Sequence, residues 1–517
     1  MQNLNDLMNR LHKSTCLPHI LLLVGLITVF IFQNDQHSFN AGHHGFLSSH
    51  GMTLASNLSV EHNFLMFNKM SELKDGIIKY DAYNRFPIGA FAIIKLFILP
   101  FHDNLSMQIS VARMLMNAFF FAAAYLAYIS VFRITRSGWV ATTATLLAFS
   151  SFYCLYYSDM IFNDIPSLFG IMLIFHGMVV FIQDGRFIQL IIKSCAALLL
   201  GWQAFAILLP FTIFGCTKEL VASRLFRSIF WSRYFILGAS SLLFGTAILA
   251  SNLAIEYLAI GGPLQELPTL QKMLWRFGLS APETYDQYSQ VLTLSYFLKD
   301  QLYRIGHMSI PYILVPSEPS PILLKVIGIC ALLTSLVGAV IARQKIPIAS
   351  LFVAGLCWAL PMRHFVAFHD FQSIFYIGIP VILFTILGLL AEKASKGLII
   401  ISAGGALLIF SLSCLHLNIM KADAVNTKNN ILTTEFQIIT DYIGTGRRIF
   451  VYGDSTTIGG GFFAVKFYLA GNYLQPTEEN VDFILSGRRD ENLALLTPQN
   501  QRVFLYKARP KSVSRVD

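Results

Sequence analysis

The sequence predicts a mostly α-helical polytopic membrane protein with about 11 transmembrane helices and a small external α/β domain near its C-terminal end. Three observations lead there. Hydrophobic residues make up 55% of the 517 residues and charged residues only 13%. The mean hydropathy is +0.58, and the apolar residues gather in long runs rather than in amphipathic stripes, which excludes an ordinary soluble enzyme.

The first run, LPHILLLVGLITVFIF from Leu17 to Phe32, follows the basic residues Arg10 and Lys13 and precedes QNDQHSFN. No small-residue cleavage site follows it, so it reads as an uncleaved span. Further spans are expected at 108–132, 139–156, 166–183, two shorter halves at 187–200 and 203–216, then 235–253, 322–342, 347–361, 373–391 and 398–419. With the N-terminus inside, the internal ends carry Arg133 and Arg136, Arg186, Lys218 with Arg224, Arg227 and Arg233, Arg343 with Lys345, and Lys393 with Lys396. This is the positive-inside pattern. It accounts for the net charge of +9 without a nucleic-acid partner, since no basic run alternates with exposed aromatics. The seven cysteines fall in or beside apolar runs, which argues against structural disulfides and cysteine metal clusters.

This topology leaves 34–107, 156–166, 254–321, 362–373 and the tail from about 420 on the outer face. Residues 1–420 form the expected membrane domain with external loops 34–107 and 254–321, and 421–517 the small external domain. Asp35, His43, His44, His50, Glu61, His62, Asp81, Arg85, Asp159, Asp164, Arg363, His364, His369 and Asp370 concentrate on that face. Charge at the ends of packed spans is costly and marks function. A metal-ligand reading of His43, His50 and Glu61 requires one continuous helix through all three and has no HExxH-type signature behind it.

The order of motifs resembles a known superfamily. After the first span and a long loop come Tyr83-Asn84-Arg85-Phe86-Pro87-Ile88, an Arg in Ala112-Arg113-Met114-Leu115-Met116-Asn117, and Asn163-Asp164-Ile165-Pro166 after the third span. Gly201-Trp202-Gln203-Ala204-Phe205 then separates two half-spans, and RHFVAFHDF (363–371) precedes a span containing Pro380. Across roughly 17–420 this is similar to the GT-C superfamily of polyprenyl-phosphate-sugar-dependent glycosyltransferases, in the branch of the protein O-mannosyltransferases and the lipid A aminoarabinose transferase. Where that branch carries an Asp before the paired histidines and a His-Pro-Pro turn, this chain reads Asn40-Ala41-Gly42 and Arg85-Phe86-Pro87. The participation of a divalent metal ion is left open.

The resemblance implies transfer of a sugar from a polyprenyl-phosphate-linked donor to a lipid, glycan or protein acceptor. Such chemistry needs a base for the acceptor hydroxyl and cationic donors for the departing phosphate. Asp164 is the expected base, with His44, beside His43, as the alternative. Arg85, Arg363 and His364, with the neighbouring His369 and Asp370, are expected to hold the donor phosphate, the arginines through their forked donors. A bacterial inner membrane with a periplasmic site fits, an endoplasmic-reticulum membrane being the alternative; oligomeric state is not readable. A transporter or flippase of a lipid-linked or small polar substrate is the competing function, but paired repeats and midplane charges are not evident. A membrane O-acyltransferase with a histidine base is a third.

The tail reads as helix (ILTTEFQIITDYIG), strand (RRIFVYG), helix (FFAVKFYLAG) and two further strands (VDFIL, RVFLY). Gly453-Asp454-Ser455 after a strand resembles the opening of an SGNH-type esterase, yet no histidine follows His416 to serve as its base. Gly459 to Gly461 lack the Lys and Ser/Thr of a phosphate loop.

Overall fold

The computed structural model describes residues 11–12, 14, 16–32, 42–73, 76–223, 230–277, 279, 293–315, 319–342, 344–427, 433–452, 462–475, 477–478, 480–486, 494–495 and 504–507. Every run read as a span forms helix. Among the described residues seven helices are long and apolar enough to cross a membrane: Leu105–Thr135, Asp164–Asp184, Trp202–Ser223, Arg233–Ile260, Pro321–Ile341, Asp370–Ala394 and Lys396–Lys421. Shorter apolar helices at Cys16–Phe32, Gly89–Phe101, Gly138–Phe149, Phe187–Leu200 and Lys345–Ala359 accompany them. The chain is an integral membrane protein.

Helix Cys16–Phe32 shows how lipid and protein share one helix. Ile20, Val24, Ile27 and Ile31 are exposed, whereas Pro18, Leu22, Gly25, Leu26 and Val29 are buried. The exposed positions recur every three or four residues and are as apolar as the buried ones, an arrangement that suits hydrocarbon on the outside. Asp164–Asp184 is the most enclosed of the seven long helices. Its ends are set locally: Pro166 occupies the first turn, where a missing amide hydrogen is harmless, and Gly185 closes the last turn at φ 71°.

Two interruptions shape the site. The expected span 139–156 stops at Phe149, because the Ser150 carbonyl accepts the Tyr312 amide (2.8 Å) and Ser151 bridges to Pro311. A short helix, Phe152–Tyr156, then turns the chain aside. The two half-spans meet at a 3₁₀ turn, Trp202–Ala204. Gly201 packs there against Ser167 of the central helix, in a space that any Cβ would overfill.

Beyond the helices lies one sheet. Its strands are β1 (Phe67–Glu72), β2 (Ile78–Ala82), β3 (Arg448–Tyr452), β4 (Tyr473–Gln475), β5 (Phe483–Ser486), β6 (Ala494–Leu495) and β7 (Phe504–Lys507). The order is β2-β1-β4-β3-β5-β7-β6, so the segment before the first long helix supplies one edge and the tail the rest. Strands β3, β5 and β7 fall where the tail sequence predicts them. The join is parallel, with Met70 opposite Tyr473, and Ser71 donates to the Leu474 carbonyl (2.9 Å). Helices Thr433–Ile443 and Phe462–Tyr468 accompany this sheet.

Helices Leu294–Met308 and Pro321–Ile341 approach through glycines. A Cβ on Gly306 would collide with the Leu324 carbonyl, and one on Gly328 with the Leu302 carbonyl. Close packing through small residues is the usual source of helix association in membranes. Gly328→Val is therefore expected to cost about 1–3 kcal/mol through overpacking. Thermal unfolding of the purified variant in detergent measures it, and an unchanged midpoint would show that the two helices can separate freely.

Candidate functional site

The titratable residues meet where turn 157–163 faces the helix Gly42–Asn57 and the segment Arg363–Ile377, with helix Pro268–Arg276 beside that segment. Two centres stand out.

Asp159 is the first. Its Oδ2 accepts from Arg113 Nη1 at 2.8 Å, and its Oδ1 accepts from Lys421 Nζ at 2.7 Å and His44 Nε2 at 2.9 Å. All four side chains are buried. Burial alone would raise the Asp159 carboxyl, but Lys421, His44 and Arg113 together hold it well below the usual carboxylate range. Burial pushes the His44 imidazole down to about 4, against the pull of Asp159. At neutral pH His44 is thus an uncharged ring donating Nε2–H to the carboxylate, with Ser48 Oγ 3.5 Å from Nδ1. His44 also stacks on Tyr157, whose hydroxyl donates to Asp370 Oδ2 at 2.8 Å. His43 lies in the same helix, but its side chain is outside the described residues.

Asp164 is the second centre. Trp358 Nε1 donates to Gln372 Oε1 (2.7 Å), and Gln372 Nε2 donates to Asp164 Oδ1 (2.6 Å). Gln203 Nε2 reaches the same oxygen at 3.5 Å, and its Oε1 lies 3.0 Å from Ser167 Oγ. Asp164 Oδ2 is buried without a hydrogen-bond partner. Asn163, which precedes the helix, makes no side-chain capping bond. These two residues therefore do not spend their side chains on ending the turn.

Cations border Asp164. Arg276 lies between the rings of Phe86 (4.7 Å) and Phe365 (4.3 Å), and burial lowers its guanidinium to about 10, with Arg85 adding repulsion and Tyr83 and Asp164 opposing. Lys272, one turn earlier, is lowered by burial and then by Arg85 and Arg276. Arg85 itself stacks on Tyr83 at 3.9 Å, and its buried Nε has no partner. Glu256 positions this helix, both carboxylate oxygens accepting the Thr269 amide (3.2 and 3.3 Å) at its first turn. Arg363 and His364 lie on the neighbouring short helix Arg363–Phe368. The His364 ring is near Trp275 (6.1 Å), and its imidazole is lowered by burial and then by Arg363.

The phosphate-binding residues expected from sequence thus divide. Arg85, Arg363 and His364 lie around the Pro268–Arg276 helix, while His369 and Asp370 belong to a different network. His369 Nδ1 lies 2.6 Å from the Phe365 carbonyl, and Arg304 donates to the carbonyls of Val366 (3.0 Å), Ala367 (3.1 Å) and His369 (2.9 Å). Asp300 holds that arginine at 2.6 Å. Sequence reasoning missed Lys272, Arg276, Gln372 and Lys421. The available signal was Lys272 and Arg276 spaced i, i+4 beside Met273 and Phe277 at the same spacing, which gives one helix a cationic and an apolar edge.

The described residues do not fit a metal ion. Asp159 is surrounded by three donors, helix Gly42–Asn57 ends before the exposed Glu61, and no group of three or more His, Cys, Asp or Glu converges among the described residues. Gly453-Asp454-Ser455 and Gly459 to Gly461 lie outside the described residues.

An apolar groove of about 390 Å³ lies beside this site. Trp202, Leu209, Leu242, Met273, Phe277 and Trp358 line it, and Leu209 and Leu242 are exposed on the membrane-spanning surface. Trp202 Nε1 donates to the Arg85 carbonyl (2.8 Å), so both tryptophans of the groove touch the polar site. A cavity of about 730 Å³, lined by His12, Arg133, Arg136, Asp184 and Glu392, lies at the opposite helix ends and shares none of these groups.

Removing the Asp159 charge strands two buried cations. Asp159→Asn is expected to cost about 3–5 kcal/mol, recovered in part by adding Lys421→Met, as measured by thermal unfolding in detergent. For His44, the unfolded ring takes a proton near pH 6.5, whereas the folded ring resists it until about 4. Its stabilising contribution is therefore full above pH 6.5 and is lost as pH falls toward 4. His44→Gln should flatten the unfolding temperature across that window; an unchanged slope would exclude the assignment.

Neither a protein-family model nor a curated protein sequence matches the chain. Solved structures do. The archaeal oligosaccharyltransferase AglB from Archaeoglobus fulgidus, in complex with an inhibitory peptide and a dolichol-phosphate, aligns with a TM-score of 0.51 at 10% identity, over 91% of this chain and 69% of that one. ArnT from Cupriavidus metallidurans bound to undecaprenyl phosphate gives 0.48 at 12% identity, over 96% of this chain and 99% of that one. Arabinosyltransferase EmbB from Mycobacterium smegmatis gives 0.33 at 12% identity, over 85% and 44%. In backbone architecture the chain has the GT-C fold.

Proposed function

We propose that this protein is a membrane glycosyltransferase that moves a sugar from a polyprenyl-phosphate-linked donor to a lipid, glycan or protein acceptor on the periplasmic face of a bacterial inner membrane. One observation carries the reading. An apolar groove is walled by Met273 and Phe277, which adjoin Lys272 and Arg276 on their helix, by Trp202, which bonds to the Arg85 carbonyl, and by Trp358, which is linked through Gln372 to a buried carboxylate with one vacant oxygen. A lipid tail, a phosphate and an acceptor hydroxyl each find a matching surface, in that order. The dolichol-phosphate held by AglB, whose fold this chain shares, supports the same class of donor.

In this reading the acceptor O–H gives its proton to Asp164 Oδ2, and the acceptor oxygen bonds to the anomeric carbon. The bond from that carbon to the phosphate oxygen breaks, and the electron pair leaves with the polyprenyl phosphate. Arg276, Arg85 and Lys272 stabilise the growing phosphate charge, with Arg363 and His364 at the rim. His44 is sealed against Asp159 and serves the framework, as do His369 and Asp370.

The test is transfer of radiolabel from a panel of undecaprenyl-phosphate-linked hexoses and pentoses by purified protein in liposomes of total membrane lipid. Transfer from none of them would overturn the proposal. Asp164→Asn keeps an acceptor for Gln372 but removes the base, so the transfer rate is expected to fall by about 10²- to 10⁴-fold with little change in unfolding temperature. Transfer by this variant at the wild-type rate would remove Asp164 from the chemistry.

A further inference from the structure

Gln372 connects the groove to the proton acceptor, and its orientation follows from chemistry. An indole N–H can only donate, so the atom of Gln372 that lies 2.7 Å from Trp358 Nε1 must be the amide oxygen. The other end of the same amide is then the NH₂ group, and it must donate to Asp164 Oδ1 at 2.6 Å. Oδ1 is thereby fixed as a hydrogen-bond acceptor, and the vacant Oδ2 is left as the oxygen able to take a proton. Trp358 is also part of the groove wall, together with Met273 and Phe277. Trp358 and Gln372 are both buried, so water does not compete for these bonds.

We infer that Trp358 and Gln372 form a positioning relay through which the wall of the lipid groove sets the orientation and proton affinity of the Asp164 carboxylate. The inference rests on the glycosyltransferase reading and deepens it. Neither residue touches the reacting atoms. Without the indole N–H, the Gln372 amide is free to turn by 180° and present its oxygen to Asp164. The carboxylate then loses a donor and faces an acceptor, which favours its protonated form. A base that is protonated more readily loses activity at the acidic end of the pH range first.

Trp358→Phe tests this, because it keeps an aromatic groove wall and deletes only the N–H. Transfer from an undecaprenyl-phosphate-linked sugar is measured against pH, and binding of undecaprenyl phosphate itself is followed separately by tryptophan fluorescence. The expected result is a roughly tenfold fall in kcat at neutral pH, an acid limb displaced to higher pH, and lipid affinity within about twofold of wild type. Gln372→Met, which deletes both bonds at nearly constant volume, should displace the limb in the same direction and serves if the first variant folds poorly. An active wild type whose variants keep its rate and pH profile overturns the relay alone. So does a variant that loses lipid binding tenfold with kcat intact, because Trp358 would then be a wall and nothing more. A wild type that binds the lipid but transfers no sugar overturns the function, and the relay with it.

Discussion

Charge that is shut away from water must be matched locally, and in this molecule Asp159 is where that requirement organises the architecture. Its carboxylate gathers a histidine from helix Gly42–Asn57, an arginine from the first long span, and a lysine from the end of the last one. Four segments far apart in sequence are thereby brought to one point, and loss of the carboxylate would strand both cations. From there the order spreads by contact. His44 stacks on Tyr157, Tyr157 donates to Asp370, and two residues on Gln372 holds Asp164. The two centres are thereby joined through Tyr157, Asp370 and Gln372.

The electrostatics of the two centres differ. Around Asp159 both cations bond directly to the one carboxylate. Around Asp164 the cations crowd one another, and their mutual repulsion adds to the burial that lowers Arg276 and Lys272. Under the proposed function, a bound phosphate relieves that repulsion, and most when its charge is greatest, as the donor bond breaks. Sequence types alone do not separate cations bonded to a carboxylate from cations that face one another.

Much of the fold was legible because hydrocarbon imposes a simple rule: every long apolar run forms helix. What escaped depended on distant partners. The break after Phe149 has no Pro or Gly to announce it; its cause is a hydrogen bond from Tyr312. Strand β1, FNKMSE, shows no clean apolar alternation, β2, IKYDA, alternates over only five residues, and their pairing depends on each other and on the tail. At the site, Asp164, Arg85, Arg363 and His364 could be picked out by residue type and position. His369 and Asp370 are of the same types, but Arg304 and Tyr157 engage them, and nothing local in the sequence reveals that. Arg276 and Lys421 escaped for the opposite reason, each being an unremarked cation whose partner lies far away in the sequence.

The sheet that joins β1 to β4 has a consequence for how the molecule is made. Strand β1 emerges early in synthesis, but the strand it lies beside follows some 403 residues later, after all the membrane-spanning helices. Contacts this distant in sequence form late, since the intervening chain must first be placed. The segment before the first long span, which carries Arg85 a few residues beyond β2, therefore waits with an unpaired strand edge while the helices insert. Its final shape is set only when the last strands reach the same side of the membrane, so a translation product halted after its final span would hold every residue of the site and still lack the support that orders this segment.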